Sequence, residues 1–293
     1  MLIGFICPDK KEVLLDDCFT KCRLGERCLT LPTLKKMSQE REWNGVASTT
    51  QLLNGTMLEY LKLTIPYYVD PQSRIFMLEG TRHHAVLEEV AKDLGLAAEV
   101  ALSIDRDIFD LIEMEDDGLV LTDYKLWGSF KVAKALGIVE MGKEPDPNGE
   151  VYKSSGKWGK AGSPKMVPYY AQVPEKANNW EAEYQLNRYR VKLENLGVKL
   201  NRMQLQVTVR DGGLYVAHNR GVFMKAVRIP IPFIDNSIIE AYFKYKDDCL
   251  KQALMYGWSQ PCTDAECWDG RRCSEYCDLA SSCPRGQATQ GGG

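Results

Sequence analysis

Apolar residues fall into two periods along this chain. Behind Ser48-Thr49-Thr50, the residues Leu52, Leu53, Met57, Tyr60 and Leu63 lie near helical spacing, and the hydroxyls ahead of them suit an N-cap. A turn around Pro66 and Pro71 leads to a second helix over 81–94, stopped by Gly95. Val86, Leu87, Val90 and Leu94 form its apolar stripe, while His84 and Glu88 stand one turn apart on another face. The period then shortens to two. Residues 104–114 and 119–126 read as strands joined at Glu115-Asp116-Asp117-Gly118, where Asp-Gly is a hairpin signal. A short helix is expected over 129–136 and a longer one over 179–196, with Ala182, Leu186, Tyr189, Leu193 and Leu196 turned inward. Strand-like runs follow at 203–209, 214–217 and 223–233, the last pushed to a sheet edge by Pro230 and Pro232. A final helix over 236–256 starts behind Asp235 and stops at Gly257, and Cys249 lies on its apolar side.

Two stretches lack a period. Residues 1–45 are charged and irregular, and from about 137 to 178 the composition shifts to Gly, Pro, Lys and Ser, as in a long loop or insertion. The organisation expected is an N-terminal Cys-rich segment (1–45), a core (46–257) carrying that insertion, a C-terminal Cys-rich segment (258–285) and a disordered tail (286–293).

The central hairpin carries the first candidate chemistry. Side chains alternate between the faces of a strand, so Asp123 and Lys125 point the same way. If the turn uses four residues, Met114 pairs with Leu119 and Asp110 lies opposite Asp123. If it uses only Asp117-Gly118, Asp110 lies opposite Lys125. Either register puts all three on one face. Carboxylates opposed at about 5 Å between Cβ atoms repel unless a cation sits between them. Oxygen ligands at that spacing suit Mg²⁺ or Mn²⁺, and a neighbouring lysine can orient or deprotonate a bound water or stabilise charge on a phosphate. The plainer alternative is a solvated polar edge. Gln185 and Tyr189 are neighbours on their helix, although periodicity alone makes Tyr189 a core residue.

At 293 residues, 44% hydrophobic and 26% charged, the chain has the composition of a globular protein with a full core. No apolar run is long enough to span a bilayer, and the start lacks a basic leader, so a cytoplasmic protein without membrane association is expected. The net charge of −3 does not advertise nucleic-acid binding, but nine lysines face five acids between Lys125 and Lys176. Within that stretch Lys153, Lys157, Lys160 and Lys165 accompany Tyr152 and Trp158, a mixture suited to a nucleic-acid backbone with stacked bases and equally to a solvated loop. The glycine spacing there is wrong for a phosphate-binding P-loop.

Ten cysteines in a chain without a secretory leader point to metal rather than to disulfides. Cys18, Cys22 and Cys28 share the spacing x3, x5 with Cys273, Cys277 and Cys283. Each triplet needs a fourth ligand for a tetrahedral Zn²⁺ site or a [4Fe–4S] cluster, and Cys262 and Cys267 are spare. The N-terminal triplet is alternatively a source of the ligand missing from the C-terminal one.

In order and spacing, these pieces resemble the PD-(D/E)XK nucleases of the RecB type, especially the CRISPR-associated RecB-like exonucleases with a C-terminal cysteine cluster. STTQLL resembles the opening helix, and GTRHH the Gly-Thr-x-x-His motif, which selects His84 over His83. DIFDLI resembles the second motif with Asp110, LTDYK the Asp/Glu-x-Lys strand, and QLNRY the Gln-x3-Tyr helix. The resemblance implies an α/β, restriction-endonuclease-like mixed sheet flanked by helices. It implies that His84, Asp110, Asp123 and the backbone carbonyl of Tyr124 hold Mg²⁺ or Mn²⁺. Lys125 would act on the attacking water, and Gln185 and Tyr189 would position Lys125 and the DNA strand. The activity implied is cleavage of DNA phosphodiesters, at single strands or duplex ends, with a protein partner in a DNA-processing complex. A non-catalytic nucleic-acid-binding protein and a zinc-bearing protein-interaction module are the rival readings. Two departures stand out. Asp107 replaces a glycine usual three residues before the second-motif acid, and Asn54-Gly55-Thr56 stands where the family's first cluster cysteine usually ends the opening helix.

Overall fold

The computed structural model describes residues 1–102, 107–157 and 159–290. The first three residues of the strand expected over 104–114, and the candidate base-stacking residue Trp158, lie outside the described residues. The strands are β1 (Leu2–Ile6), β2 (Glu12–Leu14), β3 (Tyr67–Val69), β4 (Ala97–Ala101), β5 (Ile108–Glu115), β6 (Gly118–Trp127), β7 (Ile138–Pro145), β8 (Met166–Gln172), β9 (Arg202–Val209) and β10 (Ala226–Ile231). The central sheet is mixed, in the order β10-β9-β6-β5-β4, and two smaller sheets run β2-β1-β3 and β7-β8. The protein is therefore a mixed α/β protein, its five-stranded sheet flanked by helices.

In the central hairpin Met114 pairs with Leu119 and Glu115 with Gly118, so the turn is Asp116-Asp117, one pair tighter than a four-residue loop in the same register. β6 runs parallel to β9, with Asp123 beside Leu205 and Lys125 beside Val207. Parallel neighbours need a long crossover. Here it contains the Ser129–Leu136 helix, the β7–β8 hairpin and the Trp180–Asn195 helix. Leu186, Tyr189 and Leu193 of the last helix pack on Leu121, Met203, Leu205 and Val207 from the sheet. That burial holds the helix over β6 and fixes which side chains meet.

Several elements differ from the sequence pattern. The helix expected over 52–63 is two, Thr49–Leu53 and Thr56–Thr64, because Asn54 turns extended (ψ 162°) between them. Ser48 does cap the first, in a reciprocal capping box with Gln51. The second expected helix begins earlier, at Phe76, and runs to Asp93. The stretch 137–178 is no simple loop: β7 and β8 pair antiparallel at its two ends. Residues 214–217 are not a strand. Leu214 and Tyr215 are exposed, and only Ala217 is buried in a helical turn at Tyr215–His218. The tail expected to be disordered contributes a helix over Pro284–Gln290, where proline suits the first helical position.

Residues 1–45 are also ordered, with β1, β2 and helices at Leu15–Thr20 and Leu31–Met37. Phe5, Leu34 and Met37 are fully buried in a cluster with Met57, Leu61, Val69, Leu279 and Cys283. Parallel pairing of β1 with β3 joins the N-terminal segment to the rest through backbone hydrogen bonds.

Candidate metal centre

Asp110 on β5 and Asp123 on β6 are buried carboxylates one step beyond the last ladder pair, Leu111–Thr122. At that step Tyr124 donates its backbone N–H to Asp110 Oδ2 at 2.6 Å. The carboxylate is thereby aimed from the strand that carries Asp123. Asp110 Oδ1 stands 3.4 Å from His84 Nδ1, and Glu99 Oε1 lies 3.3 Å from the same nitrogen. His84, Glu99 and Asp110 present ligand atoms all within 4.8 Å of one another. They open on a depression of about 560 Å³ that Tyr189 also lines.

Glu99 was not among the candidates read from sequence. It sits between the pairs Ala98–Leu111 and Val100–Phe109, facing the Asp110 level of β5, with a left-handed φ of 51°. A non-glycine residue in that region inside a strand stores strain. Its sequence signal is a lone acid within an otherwise apolar strand, Ala97-Ala98-Glu99-Val100-Ala101.

The two histidines separate cleanly. The hydrogen bond to Asp110 raises His84 to about 9, against the opposing effect of burial. Burial lowers His83, whose ring packs edge-on against Tyr124 with 6.1 Å between centroids. The nitrogen that meets the acids therefore belongs to His84, as the motif selected.

On the other side of Asp123, Lys125 Nζ approaches Oδ2 at 2.5 Å. Gln185 completes a bridge: Nε2 donates to Asp123 Oδ1 at 3.2 Å and to Tyr189 Oη at 3.1 Å, and Oε1 accepts from Lys125 Nζ at 3.3 Å. Burial pushes the Asp123 carboxyl up, although Lys125 pulls the other way. Burial alone would lower Lys125, but Asp123 and Asp110 outweigh it and hold the ammonium above its ordinary value. Lys125 is a paired cation here, and burial keeps the Tyr189 phenol neutral. The donor set of imidazole and carboxylates suits a hard divalent ion.

Asp107, the departure before the second motif, has a structural job. It accepts from Thr49 N at 2.8 Å and Thr49 Oγ1 at 2.6 Å, tying the start of the opening helix to the centre. Lys192 Nζ reaches the same carboxylate at 2.6 Å.

Beyond Lys125 on the same face of β6, Trp127 lines a cleft of about 440 Å³ with Phe130, Trp180, Arg210, Trp268 and Arg271. Lys131 Nζ lies 4.9 Å from the Trp127 ring centre, and the Arg271 guanidinium 4.3 Å from that of Phe130. This aromatic and basic cleft was not read from sequence, because its members come from four separate stretches of the chain. The expected DNA-binding lysines lie elsewhere, between β7 and β8. Lys153, Lys157 and Lys160 are exposed there, and Lys165 pairs with Glu150 at 2.5 Å.

The C-terminal cysteines gather as expected. Cys262, Cys267, Cys273, Cys277 and Cys283 all line one small void of about 20 Å³, and Cys267 and Cys273 have sulfurs 3.4 Å apart. A clustered thiol set of this kind could bind a metal. The helix-end departure is explained at the same place. A Cβ built on Gly55 would lie 2.2 Å from Cys262 Sγ, so this thiol fills the space into which a side chain at position 55 would project.

Among the described residues, no helix is long and apolar enough to cross a membrane. No protein-family model matches the chain, and no curated protein matches it. Among solved structures, one described as the crystal structure of SSO0001 superposes with a TM-score of 0.39 and 14% identity, over 86% of this chain and 92% of its own. A superposition that loose does not establish a common fold. Fold and site together define a mixed α/β protein with a candidate centre for a divalent metal at His84, Glu99 and Asp110.

Proposed function

We propose that the protein is a divalent-metal-dependent DNA nuclease on a restriction-endonuclease-like core. The observation that carries this reading is that Asp110, which opens with His84 on the depression, lies beside Asp123 on the next strand, whose carboxylate is paired with Lys125. His84, Glu99 and Asp110 would hold Mg²⁺ or Mn²⁺, with Asp123 and the Tyr124 carbonyl beside them. When bound, such an ion acidifies a water and neutralises phosphate charge. Lys125 offers a fixed ammonium to the charge that develops on the phosphoryl oxygens, and a preorganised cation in a buried setting is worth more than one in water. Gln185 keeps that ammonium in place, and Tyr189 in turn holds Gln185. The aromatic cleft beyond Trp127 would take unpaired bases, which favours single strands or frayed ends as substrate. The C-terminal thiols would hold zinc or a [4Fe–4S] cluster; broad absorption near ~400 nm would mark the cluster, and a colourless protein with stoichiometric zinc the alternative.

Digestion of end-labelled single- and double-stranded DNA with Mg²⁺ or Mn²⁺ tests the proposal. Asp123→Ala and Lys125→Ala should abolish cutting and retain salt-sensitive binding. A wild-type protein that binds DNA and never cuts it would be a binding protein on this scaffold. One with no salt-sensitive binding would point to a protein-interaction module.

A further inference from the structure

The N-terminal cysteine triplet has a fourth thiol near it that its motif does not contain. Cys7 directly follows β1, in a turn closed by Cys7 N to Lys11 O and Lys10 N to Cys7 O, both 2.8 Å. β2 then leads straight into the Leu15–Thr20 helix, which carries Cys18 on its buried side. Cys22 and Cys28 follow on residues 21–30, a stretch without regular structure. The antiparallel β1–β2 pairing sets Leu14 opposite Gly4, and from there the helix packs back along β1, its Phe19 ring 6.2 Å from that of Phe5, two residues before Cys7. As a result the Cys18 thiol lies within charge–charge range of Cys28, Cys7 and Cys22, and Cys28 within range of Cys7 and Cys22.

The C-terminal thiols keep to their own company. Cys267 neighbours Cys273 and Cys262, Cys262 neighbours Cys283, and Cys277 neighbours Cys273. The thiols that act on one another most strongly thus fall into two groups, Cys7, Cys18, Cys22 and Cys28 in one and the C-terminal five in the other, which meet at the apolar cluster shared by Cys18 and Cys283. Charge also fits. Four thiolates around a divalent ion carry a net 2−, and two guanidiniums stand by: Arg23 beside Cys7 and Arg27 beside Cys18. Arg23 is itself held by Asp9 through contacts of 2.7 and 2.9 Å, and Arg27 by the Phe19 carbonyl at 2.8 Å.

We propose that Cys7, Cys18, Cys22 and Cys28 form a self-contained structural site for one Zn²⁺. Binding converts four thiols and Zn²⁺ into a tetrathiolate complex of charge 2−, with four protons released to solvent. No three of these sulfurs lie within 4.8 Å of one another, so binding draws the irregular stretch 21–30 inward against the hairpin. Its role is to clamp that stretch, which is otherwise held by Arg23, Arg27 and the packing of Leu29 on the N-terminal cluster.

The test uses the full chain and does not depend on DNA cleavage. Elemental analysis should show that Cys7→Ser and Cys28→Ser each lose one equivalent of zinc per chain, while Cys267→Ser leaves that equivalent in place. Zinc-edge X-ray absorption of Cys267→Ser should give four sulfur neighbours at about 2.3 Å. Should the N-terminal variants fail to fold, alkylation of the native wild type decides. Cys7, Cys18, Cys22 and Cys28 should be protected together and should become reactive together when a chelator is added. Full zinc content in Cys7→Ser would overturn the proposal. So would rapid alkylation of Cys7 in the metal-loaded protein, nitrogen or oxygen in the zinc shell of Cys267→Ser, or iron in place of zinc at these thiols.

Discussion

Asp110 takes its aim from Tyr124: the amide of Tyr124 donates to Asp110 Oδ2 at 2.6 Å, where the β5–β6 ladder would otherwise continue. A side chain has replaced a backbone acceptor, so the position of the acid is set by the neighbouring strand and not by its own rotamer alone. Asp110→Asn keeps an oxygen for that amide and loses the charge. It should cut DNA at least ~100-fold more slowly and lose the stability that the His84 pairing supplies below about pH 9, with little further change in melting temperature. Asp110→Ala should lose activity equally and also about 1–3 kcal/mol of stability, because the buried amide is left unpaired. Thermal melts alongside a cleavage assay separate the two effects.

Glu99 is a ligand candidate with a strained backbone. Glu99→Gln should weaken Mn²⁺ binding by roughly 10–100-fold while leaving the fold intact. Glu99→Gly should weaken binding equally but raise the melting temperature of the metal-free protein, since glycine relieves the left-handed φ. Titration calorimetry with Mn²⁺ and thermal melts check both.

His84 supplies the pH dependence. Its value in the folded protein is about 9 against an ordinary 6.5, through its hydrogen bond with Asp110. A base raised on folding stabilises fully below its unfolded value, and that contribution is lost as pH rises through the folded one. The metal-free protein should therefore lose stability between pH 6.5 and about 9, and His84→Leu should flatten this part of the curve. Saturating Mn²⁺ should flatten it too, with release of a proton at pH 7.5 that calorimetry in two buffers can count.

Cys262 occupies the space beside Gly55. Gly55→Ala should displace that thiol and lower the metal content of the C-terminal site. Gly55 has an ordinary extended conformation (φ −61°, ψ 134°), so the backbone accepts a side chain once the thiol is gone. Gly55→Cys with Cys262→Gly should consequently restore the metal that Cys262→Gly alone loses. Elemental analysis of the three variants decides.

Asp107 anchors two elements at once, and its carboxylate is almost wholly buried, with 1% side-chain exposure. Asp107→Gly removes the acceptor for Thr49 and a close partner of Lys192. The expected cost is about 3–5 kcal/mol, that of removing one member of a buried ion pair, read from urea unfolding.

How much of this was legible in the sequence depends on how local each signal is. Asp123 and Lys125 are two apart on one strand, and Gln185 and Tyr189 four apart on one helix, so period alone places each pair on a common face. The register of the β5–β6 hairpin was narrowed to two arrangements, and the turn chose between them. Glu99 and Cys7 were not legible, because their relevance comes from strand pairing across separate segments. The β7–β8 hairpin was hidden for a different reason. Its strands are parted by a long Gly- and Lys-rich connection, which outweighs the short apolar runs at either end.

One hydrophobic cluster contains Leu2, Phe5, Leu34 and Met37 together with Leu279 and Cys283. During synthesis the early members leave the ribosome long before the late ones exist, and a nascent chain folds from its beginning at ~5–20 residues per second. Phe5 and Leu34 must therefore wait many seconds with part of their cover missing. The cover of Phe5 and Leu34 is complete only once residues 279–283 have been made, and a ribosome stalled upstream of Leu279 would hold an intermediate with apolar and thiol side chains still uncovered.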